Sequence, residues 1–339
     1  MTDASCARAH ANIALAKYWG KADAARNIPA VPSVSVTLEA LTSTTSVQFD
    51  PRFDRDEVYV NGDVASAKAA VRVVGLLDRV RDAAGISMRA RVISQNNFPT
   101  ASGLASSASA FAALAVAAVD AAGLDWGPRE ISDLARRSSA SAARSVYGGF
   151  VYLDTAPPGA LQLCAKPLFA PFHWPLCVVI AIVSDQPKSV GSTDGMNHTA
   201  LTSPYYDSWR RWSPSVADRV VAAIERRDFD ALAAAAEQSA LAMHACAMAA
   251  DPAVLYFEPA SIALWHRVRE LRSQGLPVFA TMDAGPNLKA ITTGADASRV
   301  ATALRQVPGV RQVITSHLGG DACLLAPGTL GIPETLGTH

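Results

Sequence analysis

Phosphate handling is the chemistry that this 339-residue sequence suggests first. In the stretch NNFPTASGLASSAS (96–109), Gly103 permits a close backbone approach, and Ser106, Ser107 and Ser109 place hydroxyls around the start of a helix. Free N–H groups and the helix dipole at such an end favour an anion. The order of strand, glycine, serines and helix makes a phosphate cradle, although it matches neither the P-loop nor the GxGxxG pattern. The same residues would also suit a serine-rich cap on an ordinary core helix, and local chemistry leaves the two readings even.

Cations follow the same theme. Lys17 and Lys21 are four apart in NIALAKYWGK, a same-face spacing in a helix or a strand. Two ammonium groups on one side repel unless an anion sits between them. The apolar surroundings and the neighbouring Tyr18 and Trp19 favour an anion site over a solvated basic edge. In SSASAARSVYGGF (138–150), Ser139 and Ser141 precede Arg144, and a helix would put Ser141 and Arg144 on one face. An arginine can grip phosphate with two parallel hydrogen bonds. Taken alone, this stretch reads more simply as a small-residue packing helix with a surface arginine. Asp283 lies in TMDAGPN (281–287), just after a predicted strand. Asp-Ala-Gly-Pro-Asn is turn chemistry, and pattern alone favours a turn aspartate. The alternative is a carboxylate aimed into a cleft as a base or electrostatic element.

These residues need elements to hold them. Alternation of Val, Thr and Ser predicts strands over Ser35–Phe49, and Val58–Val60 runs into a tight turn at Asn61-Gly62. Helical spacing covers 65–83, with Val71, Val74, Leu77 and Val80 on one face. A strand over 88–94, helices over 106–122 and 128–139, and a strand over 148–153 follow, with Pro128 at a helix start. The apolar run Leu176–Val183 reads as a buried strand and is far too short to span a bilayer. Helices over 213–226, 228–248 and 261–274 precede strands at 278–282, 289–291 and 310–315. Strands and helices interleave without a βαβ rhythm, so a mixed α+β fold is expected, with a domain boundary after 184.

Composition removes several classes of function. Net formal charge is zero, against the basic surplus of a general nucleic-acid binder, although Trp209-Arg-Arg-Trp212 stands out locally. A helix face or an interface is the expected place for that group. The five cysteines are scattered without a CxxC pair, and no HExxH occurs, so neither a disulfide framework nor a zinc site is expected. No secretory signal or membrane span is expected, and a cytosolic setting fits. His244 reads as a satisfied helix residue.

Taken together and in order, NIALAKYWGK, NNFPTASGLASSAS, SSASAARSVYGGF, VSDQPKSVGSTDGM and TMDAGPN resemble the GHMP kinase superfamily, and within it the diphosphomevalonate decarboxylases. The resemblance runs from about Asn12 to Gly319-Gly320. It implies a two-domain fold, ribosomal protein S5 domain 2-like over 1–184 and ferredoxin-like over 185–339, with the ATP cleft between them. It implies ATP and Mg²⁺ as cofactors, and mevalonate 5-diphosphate as the substrate that becomes isopentenyl diphosphate. By the same resemblance Asp283 faces the substrate 3-hydroxyl, Lys17 supports the transferring phosphate, and Arg72 holds the substrate carboxylate. Tyr18, Lys21, Ser139, Ser141, Arg144 and Ser192 match the substrate-binding positions. Gly103, Ser106 and Ser107 match the nucleotide phosphate loop, with Ser94 nearer the adenine. No metal ligand of the chain itself is implied, and a homodimer is. Related alternatives are a mevalonate 5-phosphate decarboxylase and a mevalonate 3-kinase; a non-catalytic nucleotide sensor is the alternative from another class. Two departures from the family pattern stand out. Val31-Pro32 replaces an Asn-containing pair, and Ser138 and Ala140 replace glycines, which would strain any positive-φ backbone there.

Overall fold

The computed structural model describes residues 4–98, 106–157, 160, 162–186, 188–326 and 328–330. Gly103 and the rest of the loop before Ser106 lie outside them. In chain order the elements are β1 (Ser5–Ala16), β2 (Lys21–Asp23), β3 (Ile28–Pro29), β4 (Ser33–Asp50), β5 (Glu57–Val60), β6 (Asp63–Val64), α1 (Ala67–Ala84), β7 (Arg89–Asn96), α2 (Ser106–Ala121), α3 (Pro128–Ser138), β8 (Phe150–Leu153) and β9 (Lys166–Phe169). After them come β10 (Leu176–Ile182), α4 (Ser192–Thr202), α5 (Tyr206–Arg226), α6 (Phe229–Met248), α7 (Pro259–Ser273), β11 (Val278–Met282), β12 (Leu288–Thr293), α8 (Ala297–Arg305), β13 (Gln312–His317) and β14 (Cys323–Leu325).

The long strand β4 organises the first layer. Its far half pairs with β7 and its near half, Ser33–Val36, pairs with β8. Along its other edge it pairs antiparallel with β1, with register shifts at His10/Ala11 and Ala14/Ala16. The strand order is β14-β1-β4-β7-β5-β6, with β8 and β9 attached beside β4. The helices α1, α2 and α3 cover this sheet through a core that includes Phe49, Leu76, Leu77, Leu114 and Leu134. Helix α2 is apolar nearly all round and is buried accordingly.

The second sheet is wholly antiparallel, in the order β11-β12-β10-β13. Strand β10 shows why a continuous apolar run suits a central strand. Leu176, Val178, Ile180 and Ile182 face one core with α5 and α6. Cys177, Val179 and Ala181 face another with α7 and α8. Side chains alternate across a strand, so a strand covered on both faces is apolar throughout. Residues Ile13 and Leu15 of β1 and Val34 and Val36 of β4 join the first of these cores, so apolar packing welds the two sheets together. In sheet membership β10 goes with the second half of the chain, while β14 returns to the first sheet beside β1.

Several local expectations shift. Helix α1 buries Val73, Leu76, Leu77 and Val80, an i, i+3, i+4, i+7 stripe, while Val71 is 72% exposed. Helix α5 starts at Tyr206, a full turn and more before Ser213, and runs through Pro214. Packing of Trp209, Ser213 and Val216 outweighs the proline's roughly 3 kcal/mol penalty. The Asn61-Gly62 turn has φ of 52° and 91°, the left-handed pair that a tight hairpin requires. Ser138 ends α3, and Ala140 opens a short 3₁₀ helix, Ala140–Val146, so both adopt helical backbone and neither carries positive φ. No helix among the described residues is long and apolar enough to cross a membrane.

Candidate active site

Strand β1 ends at Ala16, and the chain then places Lys17 in the seam between the two sheets. The Lys17 N–H donates to Ser239 Oγ of α6 at 2.9 Å, which fixes the strand end. Its Nζ donates to the Ala14 carbonyl at 2.8 Å and to Asp283 Oδ1 at 2.6 Å. Asp283 comes from the β11–β12 turn, 266 residues away. The lysine side chain is 1% exposed, whereas a quarter of the aspartate side chain remains open. Thr281 Oγ1 also donates to Ala14 O, at 3.4 Å, tying β11 to the end of β1.

Burial opposes charge on both partners. It lowers the Lys17 pKa, and Asp283 pulls part of that loss back. For Asp283, burial pushes upward, but Lys17, Lys289 and Arg144 together outweigh it and hold the carboxyl below its usual range. The carboxylate is therefore ionised at neutral pH, and the paired lysine neutralises it.

Arg144 stands in the 3₁₀ helix and is 2% exposed. Its Nη1 donates to Ser33 Oγ at 2.6 Å, Nε to Ser35 Oγ at 3.0 Å and Nη2 to Asn12 Oδ1 at 3.2 Å. Asn12 then donates to Ser145 Oγ at 2.8 Å and to the Ser141 carbonyl at 3.0 Å. The start of β4, β1 and the 3₁₀ helix are thus locked by one guanidinium. Burial brings its pKa down to about 10. Tyr18 lies within electrostatic reach; its hydroxyl is buried with no hydrogen-bond partner among the described residues, and burial pushes its pKa up. An orphaned buried donor of this kind suits an anionic ligand.

Lys188 donates to Ser192 Oγ at 2.7 Å and to the Ala284 carbonyl at 2.8 Å, joining the start of α4 to the Asp283 turn. Burial lowers its pKa, and Asp283 raises it. Lys289, on β12, is 2% exposed and donates to the Asn287 carbonyl at 3.1 Å. Burial drops its pKa to about 8. His244 of α6 is buried with Nε2 3.3 Å from Met282 O, and burial drops its pKa to about 3, so it is neutral and satisfied as the sequence suggests.

The other expected residues fall around this centre. Lys21 is on β2 and bonds Asn27 Oδ1 at 2.7 Å, so it and Lys17 turn to different partners instead of sharing one face of a regular element. Burial and then Arg72 depress its pKa. Ser139 and Ser141 have their hydroxyls 3.2 Å apart. Arg72 of α1 donates through Nη2 to the Ser138 carbonyl at 2.7 Å and lies 4.4 Å over the Phe111 ring. The structure therefore sets Arg72 at the serine turn and shows no contact between it and Asp283. Ser94 is buried mid-strand with its hydroxyl 2.9 Å from Thr45 Oγ1. Ser106 and Ser107 open α2. Trp209 is interior instead of interfacial: its Nε1 donates to Trp19 O at 2.8 Å, propping the loop that follows Lys17.

Sequence reasoning passed over Asn12, Ser33, Ser35, Lys188 and Lys289. Lys289 had a visible signal, a lysine inside the apolar strand LKAITT. The Ser33 and Ser35 hydroxyls had none, since serines in a strand are ordinary.

Four cations around one carboxylate leave a buried positive excess, the electrostatics of a polyphosphate site. Residues 9–159 match the family described as diphosphomevalonate decarboxylase-like N-terminal domain, and 178–324 match the mevalonate 5-diphosphate decarboxylase C-terminal domain. The chain belongs to the diphosphomevalonate decarboxylase family. A diphosphomevalonate decarboxylase from Ganoderma lucidum is 36% identical over 306 residues, covering 83% of this chain and 76% of that protein. A phosphomevalonate decarboxylase from Haloferax volcanii is 33% identical over 299 residues, covering 88% and 91%. A solved structure of MDDEF in complex with MVAPP, AMPPCP and magnesium superposes with a TM-score of 0.88 at 36% identity, covering 95% of this chain and 99% of that one. The fold is thus the two-domain α+β fold of this family's GHMP-kinase-type enzymes.

Magnesium is compatible with the donor set. Among the described residues no group of three or more His, Cys, Asp or Glu could cage a metal. Mg²⁺ seldom needs such a cage, because it keeps waters and takes substrate phosphate oxygens. Ser106 and Ser107, at the start of α2, would offer hydroxyl oxygens to it.

Proposed function

We propose that this chain uses ATP to decarboxylate mevalonate 5-diphosphate, releasing isopentenyl diphosphate, ADP, phosphate and CO₂ in the mevalonate pathway. The observation that carries the reading is the buried Lys17–Asp283 pair at 2.6 Å, set among Arg144, Lys188 and Lys289. It is supported by membership of a family in which a solved relative holds MVAPP, an ATP analogue and magnesium.

The chemistry divides in two. The 3-hydroxyl oxygen forms a bond to the γ-phosphorus while the bond to ADP breaks, and the hydroxyl proton passes to Asp283 late in the transfer. The C3–O bond then breaks, phosphate leaves with the electron pair, and the carboxylate carbon–carbon pair moves in to form the alkene as CO₂ departs. Asp283 orients the hydroxyl by accepting its hydrogen bond. A carboxylate held below its usual pKa is a poor base, so its part is orientation and charge more than early proton removal. That suits a loose phosphoryl transfer, in which positioning and charge stabilisation supply most of the rate. Lys17 balances Asp283 and lies ready for the transferring phosphate. Mg²⁺, when bound with the nucleotide, neutralises charge on the phosphate oxygens.

Tyr18, Lys21, Ser139, Ser141, Arg144 and Ser192 are assigned to the substrate diphosphate, and Arg72 to its carboxylate. Ser106, Ser107 and Gly103 are assigned to the nucleotide phosphates. Ser94 is assigned to the adenine side, where its bond to Thr45 gives it a positioning part. Sheet membership supports a domain division before Leu176, ahead of the 184 boundary read from sequence. We also assign the protein to the cytosol as a homodimer; light scattering should return twice the chain mass. Turnover with ATP and Mg²⁺ tests the reading: mevalonate 5-diphosphate should be consumed with release of CO₂, and mevalonate 5-phosphate should be a far poorer substrate. No turnover of any mevalonate derivative would overturn it.

A further inference from the structure

The β2–β3 hairpin carries Lys21 at its start and Asn27 at the end of its turn. Asn27 has φ of 51°, in the left-handed region that asparagine tolerates better than most side chains. A glycine would meet that backbone need alone, so the amide has a separate use. Its Oδ1 accepts from Lys21 Nζ at 2.7 Å, and its Nδ2 donates to the Arg137 carbonyl at 2.7 Å. An ammonium only donates and a carbonyl only accepts, so these two partners fix which way the amide points.

Arg137 and Ser138 close α3, and the last carbonyls of a helix have no partner within it. Arg72 Nη2 meets that need at Ser138 O at 2.7 Å, and Asn27 meets it at Arg137 O. The serine turn follows at once, with the Ser139 and Ser141 hydroxyls 3.2 Å apart. One side chain thus spans from the Lys21 ammonium to the backbone that leads into Ser139.

The hairpin has other fastenings. Buried Arg136 donates through Nη1 to the Arg26 carbonyl and through Nη2 to Asp133 Oδ1 at 2.7 Å. The Arg26 N–H donates to Asp23 Oδ1 at 2.9 Å, and its Nη2 donates to Ala160 O at 2.6 Å. What Asn27 adds is directed at Lys21. Among the described residues the Lys21 ammonium bonds only Asn27 Oδ1. Its charged neighbours are Arg72, which opposes the ammonium, and Asp194 of α4, which favours it. A neutral amide holds an ammonium without cancelling its charge, and leaves its other N–H groups for an anion.

We propose that Asn27 is a positioning residue for diphosphate recognition: it sets the Lys21 ammonium at a fixed place relative to the Ser139–Ser141 turn, so that lysine and serines grip the substrate diphosphate together. This rests on the decarboxylase reading, in which those groups are assigned to the diphosphate. An aspartate at 27 would fail on both sides, because it would neutralise Lys21 and repel the Arg137 carbonyl.

Asn27→Gly and Asn27→Asp, both suited to the left-handed backbone, test this with ATP, Mg²⁺ and mevalonate 5-diphosphate. In Asn27→Gly, KM for mevalonate 5-diphosphate should rise about fivefold or more, while kcat and KM for ATP change less than about threefold. Asn27→Asp should raise the same KM at least as much. Calorimetry of mevalonate 5-diphosphate binding in a Lys21→Met background supplies the second readout. There the added Asn27→Gly change should alter affinity less than about twofold, because the ammonium it positions is gone. An unchanged KM in Asn27→Gly would overturn the proposal. So would an equal loss of affinity with and without Lys21, the mark of a merely structural residue. If Asn27→Gly does not fold, Asn27→Asp decides instead, and a wild-type KM in it would overturn the proposal. These outcomes leave an active wild type; a wild type that turns over no mevalonate derivative would overturn the decarboxylase reading and this inference with it.

Discussion

Asp283 carries one negative charge among Lys17, Arg144, Lys188 and Lys289, and that imbalance sets what each residue can do. Replacing it by Asn keeps the shape and removes the charge. Turnover should fall on the order of 10³-fold or more, while nucleotide affinity, read by fluorescence titration, should change little. The same substitution strands the buried Lys17 ammonium, so Asp283→Asn should melt at a lower temperature near neutral pH. The sign of its pH dependence follows from the depressed carboxyl. A group held below its unfolded value of 3.8 contributes stability that is complete above that value and is lost as pH falls through the folded value. The melting gap between wild type and Asp283→Asn should therefore narrow from pH 6 towards pH 3. A constant gap would mean that the Lys17 pair contributes nothing. Arg144 makes a second case. Arg144→Met would leave the hydroxyls of Ser33 and Ser35 and the Asn12 carbonyl oxygen without their donor. At about 1–3 kcal/mol for each buried group left unsatisfied, stability measured by denaturant unfolding should drop by roughly 3 kcal/mol or more. A loss under about 1 kcal/mol would deny the guanidinium its locking role.

At the scale of elements, glycines mark where one segment must pass close to another. A Cβ on Gly20 would fall 2.0 Å from the Tyr206 hydroxyl, and φ there is +108°. Gly148 meets the Gly319–Gly320 backbone, with a Cβ placed 2.4 Å from a carbonyl carbon. Gly148→Ala should therefore be worse tolerated than Gly62→Ala, whose Cβ would meet nothing within 4 Å although its φ is +91°. Thermal melts of the two variants check this; equal losses would show that the strap formed by Gly319 and Gly320 is slack. The same pairs show what the sequence could and could not say. Strand β10 and helices α2, α3 and α6 announce themselves by period and by capping chemistry, since these are local. β1 did not, because its pairing partners are eighteen or more residues away and its small residues lack a clean alternation. The Asp283 turn looked like plain turn chemistry for the same reason: only the return of β1 beside it brings Lys17 to 2.6 Å. Arg144 looked like a surface residue, and the sheet buries it.

For the molecule as a whole, the site exists because the two sheets share one core. Ile13 and Leu15 of β1 pack with Leu176, Val178 and Ile180 of β10, which holds Lys17 from one layer against Asp283 from the other. The motif order in the sequence carried the family, the reaction and the substrate; packing carried the partners of each charge. In the proposed reaction phosphoryl transfer and carbon–carbon cleavage are coupled. The most direct measurement is therefore the stoichiometry of ADP, phosphate and CO₂ released from mevalonate 5-diphosphate with ATP and Mg²⁺. The three should appear in equal amounts and fall together in Asp283→Asn. ADP formed without CO₂ would make the protein a kinase and contradict the account.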